Sequence, residues 1–361
     1  MSAGRVLVSV QADFRWGGLH ENIWYSARGI HSHGWDVTVA CRESPLADKL
    51  AADGIGVHLV ADWDDWSGDA EHLAQQSWDV VHGHSGRSRK LAVFVHAATG
   101  ARLVNTFHGD DSDGVAQWGD RASSLISVSR SIAGMVADVR GVDPTKVHVV
   151  PNAVRDELVD RPPLTWGKKV ASGTGRILVA CRLDPDKLAV LEAVDEVTAA
   201  LSNLDGPDWV VQVVGDGSAA GTLREHITTR DADARHVRFE MTGFVESEAV
   251  PDLMRGAVLT VASGRGAAQS LAVGTPVVAF GSRGLYGLQA GRNLRYGLWG
   301  HFGGYRLPRV DPITPVASDV RALLRDEERY RHVQEAGRAV VSGLLRQSDA
   351  DRALDAIYRL R

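Results

Sequence analysis

The residues best placed for chemistry are two cations five positions apart. The apolar run 177–181 (ILVAC) gives way to Arg182-Leu183-Asp184-Pro185-Asp186-Lys187, and helical periodicity follows at once. A strand end followed by Arg and then Lys sets two positive charges beside the amides of a helix start, a setting that suits a pyrophosphate. The plainer alternative is a solvated loop with two incidental charges. Two further strand ends carry small residues. The run 209–214 (WVVQVV) ends in Gly215-Asp216-Gly217, with Ala220 completing a G-x-G-x-x-[GA] pattern. That fingerprint belongs in the first strand–helix unit of a dehydrogenase, and here that unit (VLVSVQADFRWGG) lacks it, so a phosphate or nucleoside contact is the better expectation. The run 257–263 (AVLTVAS) leads through Ser263, Gly264, Arg265 and Gly266 into a helix. Small residues there let a ligand approach the backbone, and the first turn offers N–H donors. Arg265 is expected as a third cation, and Gln269, about a turn on, to face what lies beyond.

In the first half, Gly17-Gly18 follows the first strand, with Trp16 beside it as a flat ring able to stack on a sugar. One strand ends in Asp79-Val80-Val81-His82-Gly83-His84 and another in Thr106-Phe107-His108-Gly109-Asp110-Asp111. Alternation puts His82 and His84 on one face. With His108 they have the spacing of a zinc site, but strand-end histidines in a polar cleft more often hydrogen-bond sugars or each other, and no metal is assigned.

Short apolar strands must position these groups, and they alternate with helical stretches. Strands are expected near 5–10, 36–41, 56–60, 79–84, 102–108, 124–129 and 147–150, then near 176–181, 208–214, 236–241, 257–262 and 276–280. Continuous Val/Ile/Leu runs suit parallel strands buried on both faces. The pattern predicts an α/β chain of two Rossmann-like, doubly wound parallel-sheet domains facing a central cleft. The boundaries expected are 1–160 for an acceptor domain, 161–175 for a linker, 176–345 for a donor domain, and 346–361 for a C-terminal helix packing back on the first domain. The connection carries a Pro pair, a Lys pair and a Gly/Ser/Thr run within 155–175. The stretch 281–304 holds eight glycines and five aromatic or His residues, and is expected to be a structureless lid.

Composition excludes other classes. The chain has 361 residues, 44% hydrophobic, and a net charge of −5, so no global basic field exists for nucleic acid or an anionic membrane. No apolar run approaches the ~20 residues of a membrane helix. The first strand begins too early for a signal peptide. Cys41 and Cys181 end apolar runs and read as buried thiols of a reducing compartment. A cytoplasmic protein without stable membrane insertion, a monomer or homodimer, is expected.

These motifs together resemble the retaining GT-B glycosyltransferases of the large glycogen-synthase-like, mannosyltransferase-like group. The matching pieces are Gly17-Gly18, DVVHGH at 79–84, TFHG at 106–109, SVS at 127–129, VVPNAV at 149–154, Arg182 to Lys187, VVGDG at 213–217, TGFV at 242–245 and A-x-G-T-P-V-V at 272–278. The resemblance implies catalytic roles for His108, Arg182 and Lys187. The two cations would neutralise the leaving diphosphate without a metal or other cofactor, and His108 would lie against the donor sugar. Gly17, Gly18, Gly215, Asp216, Gly217, Ser263, Gly264, Arg265 and Gln269 would bind a nucleoside-diphosphate sugar, with a UDP-sugar (UDP-GlcNAc among them) favoured over a GDP-sugar. Trp16, His82, His84 and Asp110 would line the acceptor side. One departure stands out: the group's Glu-x7-Glu pair is missing, and Gln269 occupies the second Glu position. The reading is hexosyl or N-acetylhexosaminyl transfer to a small soluble acceptor, such as a natural-product or metabolite hydroxyl. The alternatives are a pseudo-glycosyltransferase or sugar-nucleotide epimerase on the same fold, and a lipid-linked or cell-envelope glycan acceptor.

Overall fold

The computed structural model describes residues 3–12, 16–109, 111–112, 114–202, 204–231, 237–303 and 315–360. Asp110, expected on the acceptor side, lies outside them. The chain divides into two compact units, Met1–Ala153 with Gln347–Arg361, and Val154–Arg346.

In the first unit, seven strands form one parallel sheet in the order β3-β2-β1-β4-β5-β6-β7. They are β1 (Gly4–Ser9), β2 (Trp35–Cys41), β3 (Gly56–Leu59), β4 (Val80–Gly83), β5 (Arg102–Phe107), β6 (Ser124–Ser127) and β7 (Val147–Val149). Successive strands step outward on one side of β1 and then on the other, so the winding reverses between β1 and β4. Open α/β sheets bind ligands at such a reversal, beyond the carboxyl ends of the strands. The helix Gln347–Arg359 belongs to this unit and packs on the helix Gly18–Ser32. Trp35 Nε1 donates to Asp355 Oδ1 at 2.8 Å and pins that last helix to β2.

The second unit repeats the plan with β8 (Thr174–Ala180), β9 (Asp208–Val214), β10 (Val237–Gly243), β11 (Leu259–Ala262), β12 (Val277–Gly281) and β13 (Gly284–Leu288). Their order is β10-β9-β8-β11-β12-β13, and the reversal falls between β8 and β11. The continuous apolar runs are used on both faces. Ile177 and Val179 pack with Val211 and Val213 in one core, while Leu178 and Ala180 pack with Val277 and Ala279 in another. Period-two alternation thus buries every residue of the run.

Two expectations are corrected. Within the stretch 281–304, expected as a structureless lid, lie the strand β13 and the helix Gly291–Trp299. β13 returns antiparallel along β12, with Val278 opposite Leu288. Glycines concealed these elements because here they serve close packing. A Cβ on Gly281 would stand 2.1 Å from the Gly303 carbonyl oxygen, and one on Gly297 would stand 2.6 Å from the Phe302 ring. The expected linker, 161–175, folds as part of the second unit, whose first residue is Val154. Buried Lys169 holds it there, donating to the carbonyls of Ala257 (2.8 Å) and Gly274 (3.2 Å) and to Thr275 Oγ1 (2.6 Å). Arg255 and Arg338 bind the carbonyls of Pro162 and Arg161.

Candidate functional site

The loop after β8 carries the two expected cations, and they converge. Arg182 Nη2 donates to both oxygens of Asp186 at 2.9 and 3.0 Å, and Lys187 Nζ stands 3.7 Å from Asp186 Oδ2. A carboxylate therefore sits where both positive charges point, next to the winding reversal. Its side chain is 47% exposed, against 27% for Arg182 and 17% for Lys187, so the acid lies on the solvent side of the more sheltered cations. Arg182 also pairs with Asp184. Asp184 is anchored by the amide (2.8 Å) and hydroxyl (2.7 Å) of Ser218, which hold its carboxyl below the usual carboxylate range, with a smaller contribution from Arg182. Lys187 closes the 3-10 turn Pro185–Lys187, and the helix Ala189–Leu201 follows.

Gly215 and Gly217 have a structural reason to be glycine. The Cys181 amide donates to the Val214 carbonyl, Leu183 to Asp216 and Ala219 to Leu183, so the loops after β8 and β9 are zipped together. A Cβ on Gly215 would stand 1.8 Å from the Cys181 oxygen, and one on Gly217 would stand 2.3 Å from that of Leu183. Both have φ in the region that L side chains rarely adopt, +144° and +155°. The pattern that looked like a ligand-facing fingerprint is first a loop-packing device, and it fixes the backbone that aims Arg182. Asp216 is exposed, its Oδ1 accepting from the Gly217 amide at 2.8 Å.

The segment after β11 is more enclosed than expected. Ser263 precedes the helix Gly264–Ala272 without a side-chain cap bond, and the Gly264 amide donates to the Phe302 carbonyl at 3.1 Å. The first donor of that helix is thus already engaged. Arg265 and Gln269 are both 5% exposed, so Arg265 is an internal cation and not a third surface charge. Beside it lies His301, 6% exposed, in a left-handed backbone conformation (φ 51°). Burial, then the Arg265 charge, lower its pKa to about 4. Among the described residues no group lies within hydrogen-bond reach of its Nε2. Sequence reading placed His301 in a lid; its separation from Arg265 along the chain hid the pairing.

In the first unit, Gly17 caps the helix Gly18–Ser32 in extended backbone. Trp16 gives one ring face to His20 (centroids 5.4 Å, 16° between planes) and an edge to Trp24 at 6.3 Å, with Lys49 Nζ 5.6 Å from its centroid. The ring is thus part of an aromatic cluster, not an isolated sugar platform. His82 is also removed from the acceptor list. It is 1% exposed, with Nδ1 2.6 Å from the Tyr358 hydroxyl and Nε2 2.7 Å from Thr106 Oγ1. Burial, and less so His108, lower its pKa to about 3. His84 Nδ1 lies 2.9 Å from His108 Nε2. Burial first, then His82, His108 and Arg89, hold His84 well below the ordinary imidazole value. Both His82 nitrogens thus face hydroxyls, while one nitrogen of His84 faces one of His108. No three His, Cys, Asp or Glu side chains among the described residues come together as a metal ligand set. Tyr358, 276 positions from His82, is a site residue that no local signal reveals.

Each unit thus has its chemistry-bearing residues at a winding reversal, the arrangement of the GT-B glycosyltransferases. Whole-chain comparison with solved structures gives the same fold. The chain is similar to HepE of Anabaena, solved with UDP and glucose, at 14% identity and a TM-score of 0.73, covering 98% of each chain. It is similar to a glycosyltransferase of Rickettsia africae (16%, TM-score 0.72, 98% of this chain and 97% of that one). It is also similar to sucrose-phosphate synthase of Thermosynechococcus elongatus (16%, TM-score 0.70, 98% of each). The family that matches is Glycosyltransferase Family 4, over residues 16–158. No curated protein matches the chain in sequence. The chain thus has the GT-B fold of these proteins, and its residues 16–158 match the Glycosyltransferase Family 4 model. No helix among the described residues is long and apolar enough to cross a membrane.

Proposed function

We propose that the chain is a retaining glycosyltransferase that takes its sugar from a nucleoside diphosphate, a UDP-sugar first, and passes it to the hydroxyl of a small soluble acceptor. The observation that carries this reading is the convergence of Arg182 and Lys187 on the Asp186 carboxylate at the β8–β11 reversal. As the sugar–phosphate bond breaks, negative charge grows on the departing diphosphate. Two fixed cations lower that barrier electrostatically, and the protein itself supplies the charge that a metal would otherwise bring. His108 is assigned to the donor sugar. Ser263 is assigned to the donor phosphates and Gln269 to the ribose hydroxyls. A Gln amide still accepts a hydrogen bond, though the charge-assisted form a Glu would give is lost, at about 1 kcal/mol or more.

The UDP preference is supported by HepE, solved with UDP and glucose. The soluble-acceptor assignment is supported by the net charge of −5 and by the helix Gly18–Ser32, whose exposed residues include a single Arg, Arg28. An interfacial helix would present a basic face to anionic lipid. Likeness to sucrose-phosphate synthase fits a small acceptor. A thermal-shift panel of UDP-, GDP-, ADP- and dTDP-sugars tests the donor assignment. A ligand at a hundred times its Kd adds about 2.7 kcal/mol of stability, and the UDP-sugars are expected to give the largest shift. No shift with any nucleotide sugar would refute the proposal.

A further inference from the structure

The histidines at the ends of β4 and β5 form a continuous stack. Ring centroids lie 4.2 Å apart for His82 and His84, and 5.2 Å apart for His84 and His108. The inner end is tied at both nitrogens, His82 Nδ1 to Tyr358 and Nε2 to Thr106. Each hydroxyl can donate or accept, so a neutral His82 is satisfied in either tautomer, donating on one side and accepting on the other. The middle residue, His84, is 4% exposed, and Arg89 Nη2 donates to its backbone carbonyl at 3.1 Å and to the Thr106 carbonyl at 3.0 Å. That guanidinium, itself 3% exposed, clips the ends of β4 and β5 together. Its charge also disfavours a proton on His84. The bond between His84 Nδ1 and His108 Nε2 needs one proton between two nitrogens. Between neutral rings, whichever nitrogen carries it decides the tautomer of both. A small cavity bordered by His82, His84, Tyr358, Val8 and Ile23 lies beside the stack.

We propose that His84 is the positioning residue of His108, fixing its tautomer and ring orientation through their nitrogen–nitrogen bond. The C-terminal helix Gln347–Arg359 braces the stack from behind through Tyr358. This rests on the assignment of His108 to the donor sugar. A ring that must keep its position to within about half an ångström needs a partner that locks it, as metal-bound histidines need theirs. The arrangement makes the helix Gln347–Arg359 part of what positions His108. It also explains why a histidine with so little exposure occupies a strand end.

Two readouts on the full-length protein test it: ring-nitrogen 15N spectra of the histidines, and UDP release from UDP-glucose. His84→Phe keeps a flat ring in the stack and removes the bond. The His108 ring-nitrogen signals are then expected to move away from those of the wild type, and kcat to fall at least tenfold with KM within twofold. His84→Asn places an amide nitrogen near the Nδ1 position and is expected to restore the His108 tautomer and most of the rate. Tyr358→Phe deletes one hydroxyl, provides a milder variant should His84→Phe not fold, and is expected to shift the His82 and His108 signals together. A folded His84→Phe protein with unchanged His108 signals overturns the proposal, as does His84→Asn behaving like His84→Phe, or a Tyr358→Phe protein in which only His82 moves. Absence of UDP release from the wild type would count against the donor assignment alone, because the spectra report on the stack without substrate.

Discussion

Asp186 offers the sharpest perturbation, because the structure puts its carboxylate where a diphosphate is expected to bind. The variant is Asp186→Asn, which keeps the shape and removes the charge. With UDP bound, the cations must exchange one anion for another, so binding carries the cost of displacing Asp186. A full charge 3.7 Å from Lys187 is worth about 1 kcal/mol in water by Coulomb's law. Measured values for exposed pairs run about 0.2–1 kcal/mol, and Asp186 is nearly half exposed. Summed over both cations, the competing carboxylate is worth about 1 kcal/mol, or about fivefold in affinity at about 1.4 kcal/mol per tenfold. Titration calorimetry with UDP is expected to show Asp186→Asn binding about fivefold tighter than wild type at low salt. The gain should shrink at high salt, and uridine affinity should not change. Equal or weaker UDP binding by a folded variant would refute the reasoning, since the carboxylate would then be orienting the cations and not competing with the ligand.

Three further outcomes follow from the packing. Gly215→Ala forces a Cβ to within 1.8 Å of the Cys181 oxygen at a φ of +144°, and should cost more than about 2 kcal/mol in a urea titration. Lys169→Met leaves the Ala257 carbonyl and Thr275 Oγ1 short of a donor inside the second unit, and should cost about 2–4 kcal/mol by the same measurement. Stability should also fall with acid. His20 (about 4), His82 (about 3) and His301 (about 4) are all depressed by burial, whereas their unfolded forms take up protons near pH 6.5. The unfolded state therefore binds more protons below pH 6.5, and each group removes about 1.4 kcal/mol per pH unit until its folded pKa is reached. Unfolding monitored by circular dichroism between pH 7 and 4 should show this loss, and a flat profile would contradict it.

The sequence made the strands legible where burial leaves no choice. WVVQVV at 209–214 is apolar on both faces because both faces are covered, and such a run admits few other readings. It was less informative where a residue type has two uses. Gly215 and Gly217 read as ligand contacts, yet the immediate reason for glycine is the neighbouring loop. The glycines of 281–303 read as freedom and proved to be close packing. Long-range pairs were invisible. Nothing near His82 announces Tyr358, and nothing near the Lys pair at 168–169 announces the Ala257 and Gly274 carbonyls that draw the expected linker into the second unit. The cations were legible because both lie in one short loop, where a strand end and a helix start fix their direction.

The most direct measurement compares UDP with uridine on the wild type and on the double variant Arg182→Ala/Lys187→Ala. If the two cations grip the diphosphate, the double variant stays folded and keeps its weak uridine affinity, while UDP affinity drops about a hundredfold or more, the scale expected when charge stabilisers are removed. A folded double variant that binds UDP as tightly as the wild type would contradict the account at its centre.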